Sequence, residues 1–164
     1  MMNLSTPDVL DIDPKEVVYV SFVGNYLGNT RIFEKLFGTL CGWAGERQLI
    51  RPETIFLSAY YEDPDTTPPE ELRVDVCMTI PPGIDIPVDG EIRRQTLPGG
   101  RYAVMQAELT GPEEYGPAWY AMTGWIAENS LEIDMSRPGY EIYLNSPDED
   151  PERLHRIEIC MALK

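Results

Sequence analysis

The chain has 164 residues, 43% of them hydrophobic and 25% charged, which fits a globular domain able to bury its own core. Thirteen basic residues against 28 acidic ones give a formal net charge of -15. A field of this sign repels phosphate backbones and anionic lipids, so it argues against direct nucleic-acid or membrane binding. It favours cations, or a protein partner with a basic, DNA-binding surface.

The first half of the chain predicts a strand, a helix and two further strands. Residues 16–23 are rich in β-branched and aromatic types, which favour a strand. Residues 30–47 predict a helix, because apolar side chains recur there at helical spacing: Ile32, Leu36, Leu40 and Trp43. Residues 54–61 and 72–79 predict two strands, the second with alternating apolar and polar positions.

Residues 81–100 hold four prolines and four glycines, so they predict a linker between two halves. The second half then repeats the pattern of the first. Residues 101–109 predict a strand, and a helix follows over about residues 117–129, with proline at its first position. Two more strands are predicted at residues 140–145 and 155–163.

Three sequence matches in the same order indicate an internal duplication. Cys41-Gly42-Trp43, in the first helix, matches Thr123-Gly124-Trp125, 82 residues later. The segment Leu72–Met78 matches His155–Met161 at an offset of 83 residues, and an Arg-Pro pair lies between helix and strand in both halves. The chain is therefore expected to contain two copies of one β-α-β-β unit.

The duplication predicts an α+β fold made of tandem β-α-β-β units related by a pseudo-two-fold axis. We expect a single domain over residues 1–164, with repeat 1 at about 16–80, the linker at about 81–100 and repeat 2 at about 101–163. The seam between two such copies is a natural concavity, so a central groove is the expected ligand site.

The cysteines and the N-terminus bear on the compartment. Cys41, Cys77 and Cys160 are odd in number, far apart and set in apolar runs, which is typical of buried free thiols in a reducing environment. The N-terminus has neither a basic region nor an apolar signal core, and no run of apolar residues is long enough to span a bilayer. We expect a cytoplasmic protein.

The residue types that carry most enzyme chemistry are sparse. His155 is the one histidine, and it lies in a strand-like segment, which argues against a Ser-His-Asp triad. No group of His, Cys and carboxylate residues has metal-ligand spacing, and no phosphate-binding or dinucleotide-binding motif occurs. The residues thus indicate no cofactor, no metal and no evident catalytic residue.

Glu141 is the candidate binding carboxylate. Alternation along the strand places Tyr140, Ile142 and Leu144 on one face, which belongs to the core. Glu141 and Tyr143 lie on the other face, which is either open to water or lines a cavity. In water Glu141 is an ordinary surface carboxylate, whereas in an aromatic cavity it is a site for a bulky organic cation.

Aromatic residues carry the same two interpretations, since tryptophan at helical spacing packs in a core more often than it lines a pocket. The aromatic side chains proposed to line the ligand site with Glu141 are Tyr26, Tyr60, Trp119 and Tyr143.

Four segments together resemble the DNA gyrase inhibitor (GyrI-like) family. They are Tyr60–Pro68, Glu71–Asp75, Gly99–Val104 and Tyr140–Asn145. The resemblance spans about residues 16–163. It implies a tandem strand-helix-strand-strand fold with a central ligand groove and a buried glutamate, which by motif position is Glu141. Family domains also occur as effector-binding parts of transcription regulators. We expect this chain to resemble the stand-alone members, because no helix-turn-helix segment flanks the domain.

The resemblance implies three functions, which we rank. The first is binding of small lipophilic cations, the behaviour of a multidrug-binding effector domain. The second is inhibition of DNA gyrase through protein–protein contact, which would make the chain a stress-response protein. The third is hydrolysis of cyclopropane-type alkylating toxins, for which Glu141 is the one candidate general base. Whether the chain is an enzyme stays open at this point.

Overall fold

The computed structural model of the chain describes residues 2–164. These residues form nine β-strands and two α-helices. In chain order they are β1 (Asn3–Leu4), β2 (Asp8–Ile12), β3 (Lys15–Val23), α1 (Thr30–Glu46), β4 (Phe56–Tyr60), β5 (Arg73–Thr79), β6 (Arg93–Leu97), β7 (Gly100–Leu109), α2 (Tyr115–Glu128), β8 (Gly139–Tyr143) and β9 (His155–Ala162).

The described residues divide into two compact units. One unit is residues 14–98, and the other combines residues 2–13 with residues 99–164. Each unit contains an antiparallel sheet and one helix, and each has strand, helix, strand and strand in that order, as β3-α1-β4-β5 and as β7-α2-β8-β9. The α+β class is therefore confirmed, while the duplication and its pseudo-two-fold axis stay predictions.

The sheet of the 14–98 unit has the strand order β4-β5-β3-β6. Its helix α1 begins behind Asn29, whose side-chain oxygen accepts a hydrogen bond from the Ile32 backbone N–H (3.4 Å) and so caps the first turn. The apolar stripe of α1 is buried against one face of the sheet, together with alternate residues of β5: Leu36, Leu40, Val74, Val76 and Met78. The apolar side chains that the sequence predicted at helical spacing in α1 thus contribute to this core.

The sheet of the other unit is built around β7 and β9. Strands β1 and β2 lie one after the other along one side of β7, β9 pairs with its other side, and β8 pairs with β9. Helix α2 covers one face with its buried side chains Ala118, Met122 and Ile126. They meet alternate residues of β7 and β9: Ala103, Met105, Ala107, Ile157 and Ile159. Helix α2 therefore packs mainly over β7 and β9, and Tyr143 of β8 packs against the edge of this core.

Three differences from the sequence predictions concern element positions. The segment 81–100, predicted as a linker, contains β6, which pairs with β3 at the sheet edge. The prolines and glycines of this segment lie outside β6, and their number led to the linker prediction. Helix α2 begins at Tyr115, not at Pro117, because a 3-10 turn at Pro112–Glu114 leads straight into it. Proline is tolerated in a first turn, where its missing N–H has no helical partner. Strands β1 and β2 were not predicted.

The cysteines are free, with Cys77 and Cys160 buried and Cys41 half-buried. Burial raises the pKa of the Cys77 thiol well above its ordinary value, and the nearby Asp75 adds to the shift. The two buried thiols are thus apolar fillers of the kind predicted. Among residues 2–164, neither helix has the length and apolar character that crossing a bilayer requires.

Candidate functional site

Glu141 lies in the middle of β8 and is almost fully buried. It pairs with Ile159 of β9, and its side chain is only 4% exposed. The sequence left two environments open for this face of β8, water or a cavity. The surface interpretation does not fit, because Glu141 is buried and its partner Ile159 belongs to the core that α2 covers. An ionisable side chain buried in this way requires polar partners.

Two aromatic side chains supply hydrogen bonds to the carboxylate. The Trp119 indole Nε1–H donates to Oε2 (2.7 Å), and the Tyr143 hydroxyl donates to Oε1 (2.7 Å). Both donors are neutral groups, so these two hydrogen bonds solvate the carboxylate without adding a positive charge. Glu141, Trp119 and Tyr143 together are called the Glu141 cluster below.

The two partners reach Glu141 from different elements. Tyr143 is two residues further along β8 and therefore projects from the same face of the strand. Trp119 comes from α2, and its ring lies so close to Gly139 that a Cβ at that position would be 3.2 Å from a ring carbon. The glycine at the start of β8 therefore leaves room for the indole that donates to the carboxylate.

A second polar pair lies near the Glu141 cluster. The Tyr115 hydroxyl and His155 Nδ1 are 2.8 Å apart, and the two rings meet edge to face. Burial raises the pKa of Tyr115, and the charge of Glu141 raises it further. Tyr115 therefore stays a neutral phenol at physiological pH.

The remaining predicted site residues lie in the 14–98 unit. Tyr26 is buried, and its ring centroid is 5.4 Å from that of Tyr60 and 6.0 Å from that of Phe33. Both tyrosines pack against the α1 core. The structure thus brings together Glu141, Trp119 and Tyr143 in one unit, and Tyr26 with Tyr60 in the other. Their joint role as one ligand site stays a prediction.

A further buried carboxylate, Asp75 in β5, was missed by the sequence analysis. It is 0% exposed and accepts five side-chain hydrogen bonds, from Ser21 Oγ (2.5 Å), Tyr61 OH (2.7 Å), Arg73 Nη2 (2.8 Å), Arg73 Nε (3.1 Å) and Gln95 Nε2 (2.9 Å). The Arg-x-Asp spacing in a strand is the signal that could have found it, because residues two apart share a face.

The Asp75 group has the character of a structural ion pair. The Arg73 guanidinium also lies 4.4 Å from the Tyr61 ring centroid, so it makes both an ion pair with Asp75 and a cation–π contact with Tyr61. Burial raises the pKa of Tyr61, and the hydrogen bond to Asp75 adds to this. A phenol with a raised pKa is a poor nucleophile at neutral pH, which favours a structural role.

Open space occurs beside α2. A cleft of about 390 Å³ lies between the N-terminal segment and α2, lined by Leu4, Ser5, Thr6, Pro7, Met105, Ala121, Gly124, Trp125 and Glu128. Glu141 is not part of its lining, so reaching that carboxylate requires side chains over it to move. Within residues 2–164, no three His, Cys, Asp or Glu side chains are grouped so as to hold a metal ion.

The chain matches the family model of the GyrI-like small molecule binding domain over residues 5–164. It is 30% identical over 118 residues to the DNA gyrase inhibitor of Escherichia coli K12, covering 71% of this chain and 73% of the relative. Over 158 residues it is 25% identical to the DNA gyrase inhibitor of Citrobacter rodentium, covering 96% of both chains.

Solved structures share the fold. An integron cassette protein of Vibrio cholerae has a TM-score of 0.67 at 14% identity and covers 99% of both chains. The structure of SAV2435 bound to tetraphenylphosphonium has a TM-score of 0.67 at 16% identity, and the match covers 98% of this chain and 94% of that one.

Proposed function

Because the chain belongs to the GyrI-like family of small-molecule-binding domains, we propose that it binds a lipophilic organic cation at the Glu141 cluster. The observation that carries this proposal is that Glu141 is only 4% exposed and that its carboxylate accepts hydrogen bonds from two aromatic side chains. A buried negative charge with aromatic neighbours is the environment that organic cations prefer.

The electrostatics favour a cation that is both large and apolar. Glu141 has lost most of its water, and the two bonds from Trp119 and Tyr143 come from neutral groups. A cation with a delocalised or shielded charge gives up little hydration when it approaches such a carboxylate, whereas a small ammonium ion gives up much more. Cation–π contact with the rings adds about 0.5–2 kcal/mol.

Access to Glu141 follows from the position of Trp119. This side chain is half-buried, so its ring extends from the surface of α2 down to the carboxylate. We place the entry route here: rotation of the indole opens the path, and the cation replaces the indole N–H as the partner of Oε2. The ring then covers the apolar body of the ligand.

The structural neighbour SAV2435, solved with tetraphenylphosphonium, suggests the probe for this proposal. The test is calorimetric titration of the full chain with tetraphenylphosphonium and with triphenylphosphine oxide, a neutral analogue. Glu141→Gln should weaken binding of the cation by about 1–3 kcal/mol, the scale of a hydrogen bond to a charged group. It should change binding of the neutral analogue little.

The matched control is Glu34→Gln, because Glu34 is an exposed carboxylate on α1 that belongs neither to the Glu141 cluster nor to the lining of the cleft beside α2, and its loss changes the net charge equally. This variant should bind tetraphenylphosphonium as the wild type does. Equal affinity of Glu141→Gln and wild type for the cation would contradict the proposal. An equal loss in both variants would show that only the general acidic field attracts the ligand.

A second candidate function comes from the names of the relatives, which are DNA gyrase inhibitors. We propose that any such activity acts by contact with a protein, because a net charge of -15 disfavours contact with DNA. A supercoiling assay with purified gyrase tests it. Reduced supercoiling without a shift of naked DNA would support the proposal, and unchanged supercoiling would contradict it.

Toxin hydrolysis ranks third. Both carboxylate oxygens of Glu141 accept hydrogen bonds, an arrangement better suited to holding a cation than to taking a proton. Hydrolysis and the cytoplasmic location both stay predictions.

A further inference from the structure

Strand β2 is an edge strand with one open side. Its residues Asp8–Ile12 pair antiparallel with residues 100–104 of β7. In the strand order of the described residues, β7 is the one partner of β2. The opposite side of β2 therefore presents backbone N–H and C=O groups that can pair with an added strand.

The side chains of β2 are unusually exposed for a strand. Four of its five residues are exposed and Ile12 is half-buried. Val9 is 40% exposed and Leu10 is 47% exposed, and because neighbours in a strand point to opposite faces, an apolar side chain is available on each face. The strand thus offers apolar contacts as well as backbone pairing.

The charges around this edge are negative. Asp8 and Asp11 flank the two apolar residues within β2, and Asp13 follows directly. A second copy of β2 aligned on this edge would bring the aspartates of both copies together, and each chain carries a net charge of -15. Charged residues on an edge strand oppose such self-pairing. The same charges attract a basic strand.

We propose that β2 is a docking site for an extended basic segment of a protein partner, which adds a strand to this sheet. Backbone hydrogen bonds along the open edge supply the binding. Two neighbouring aliphatic side chains, which point to opposite faces, contact Val9 and Leu10, and lysine or arginine side chains on either side of them approach Asp8 and Asp11. The inference is independent of ligand binding at Glu141, since no residue is shared between the two sites.

The experiment uses the full chain and a capped, fluorescent hexapeptide with the central sequence Lys-Val-Val-Lys, which places one lysine and one valine on each face of the added strand. Fluorescence anisotropy gives its affinity for wild type, for Asp8→Asn/Asp11→Asn, and for the control Glu34→Gln/Glu53→Gln, which removes two exposed carboxylates elsewhere. A peptide N-methylated at alternate residues keeps its charge but cannot pair along one edge. Hydrogen exchange of the β2 amides reports where the peptide binds.

The expected result is an affinity lower by roughly three- to tenfold for the Asp8/Asp11 variant, the scale of two exposed ion pairs. The control should bind as wild type does, the N-methylated peptide should not bind, and amide exchange in β2 should slow. An equal loss in both double variants, full binding of the N-methylated peptide, or unchanged exchange in β2 would each overturn the proposal. So would a failure of the wild type to bind the basic peptide.

Discussion

Replacing Trp119 by phenylalanine isolates the hydrogen bond on which the Glu141 cluster depends. The change removes the indole N–H that donates to Glu141 Oε2 at 2.7 Å and keeps an aromatic ring in α2. Glu141 as a whole is 4% exposed, so water cannot fully replace the lost donor. We therefore expect Trp119→Phe to lower the free energy of unfolding.

The size of the effect follows from the charge of the acceptor. A hydrogen bond to a charged group contributes about 1.5–3 kcal/mol, against about 0.5–1.5 kcal/mol between neutral groups. Trp119→Phe should thus cost about 1.5–3 kcal/mol in the wild-type background through this bond alone. In a Glu141→Gln background the acceptor is neutral, so the cost should be smaller by about 1 kcal/mol.

The assay is urea unfolding of the two single variants, the double variant and the wild type as a double-mutant cycle. Packing lost with the larger ring is common to both backgrounds and cancels in the coupling energy. Trp125→Phe, also in α2, serves as the control and should couple to Glu141→Gln by less than about 0.5 kcal/mol. Equal coupling at Trp119 and Trp125, or none at Trp119, would refute the hydrogen bond as the stabilising contact.

Two further predictions concern other carboxylates. Hydrogen bonds from the Arg156 side chain and the Glu152 backbone N–H lower the pKa of Asp150 from 3.8 to about 2. The ionised Asp150 therefore stabilises the fold fully above about pH 4, and this stabilisation is lost as the pH falls towards 2. Asp150→Asn should therefore lower Tm at neutral pH and approach the wild type in melts below about pH 4; a constant difference would contradict this. Asp75→Ala leaves the buried donors and the Arg73 charge without their acceptor, and should destabilise by about 2–4 kcal/mol in urea unfolding. A loss no larger than that of the exposed Asp148→Ala would show the group to be unimportant.

Periodicity predicted most of the elements because it reports directly on burial. The stripe of Leu36, Leu40 and Trp43 predicted α1 within a residue, and the alternation in residues 72–79 predicted β5 equally well. Strands β2 and β6 were missed for the same reason. Both lie at sheet edges and lack an alternating apolar pattern, so β2 was not predicted and β6 was predicted as part of the linker.

The candidate site was predicted less completely. Alternation put Glu141 and Tyr143 on one face, and the structure places Trp119 beside them. Alternation could not reveal that α2 covers this face, because burial on both faces of β8 depends on contacts distant in sequence. The Asp75 group was missed because its donors come from different strands, and only the fold brings Ser21, Tyr61 and Gln95 together.

Cation binding at the Glu141 cluster can be measured most directly at the Trp119 indole N–H itself. The chain has three tryptophans, and proton–nitrogen NMR of an isotope-labelled sample resolves each indole, with the signals assigned by single replacements with phenylalanine. On titration with the phosphonium cation, the Trp119 signal should move, because the ligand takes its place on Oε2, while the Trp43 and Trp125 signals stay. Movement of Trp125 alone would place the ligand in the cleft beside α2, and no movement of Trp119 at saturation would contradict the proposed site.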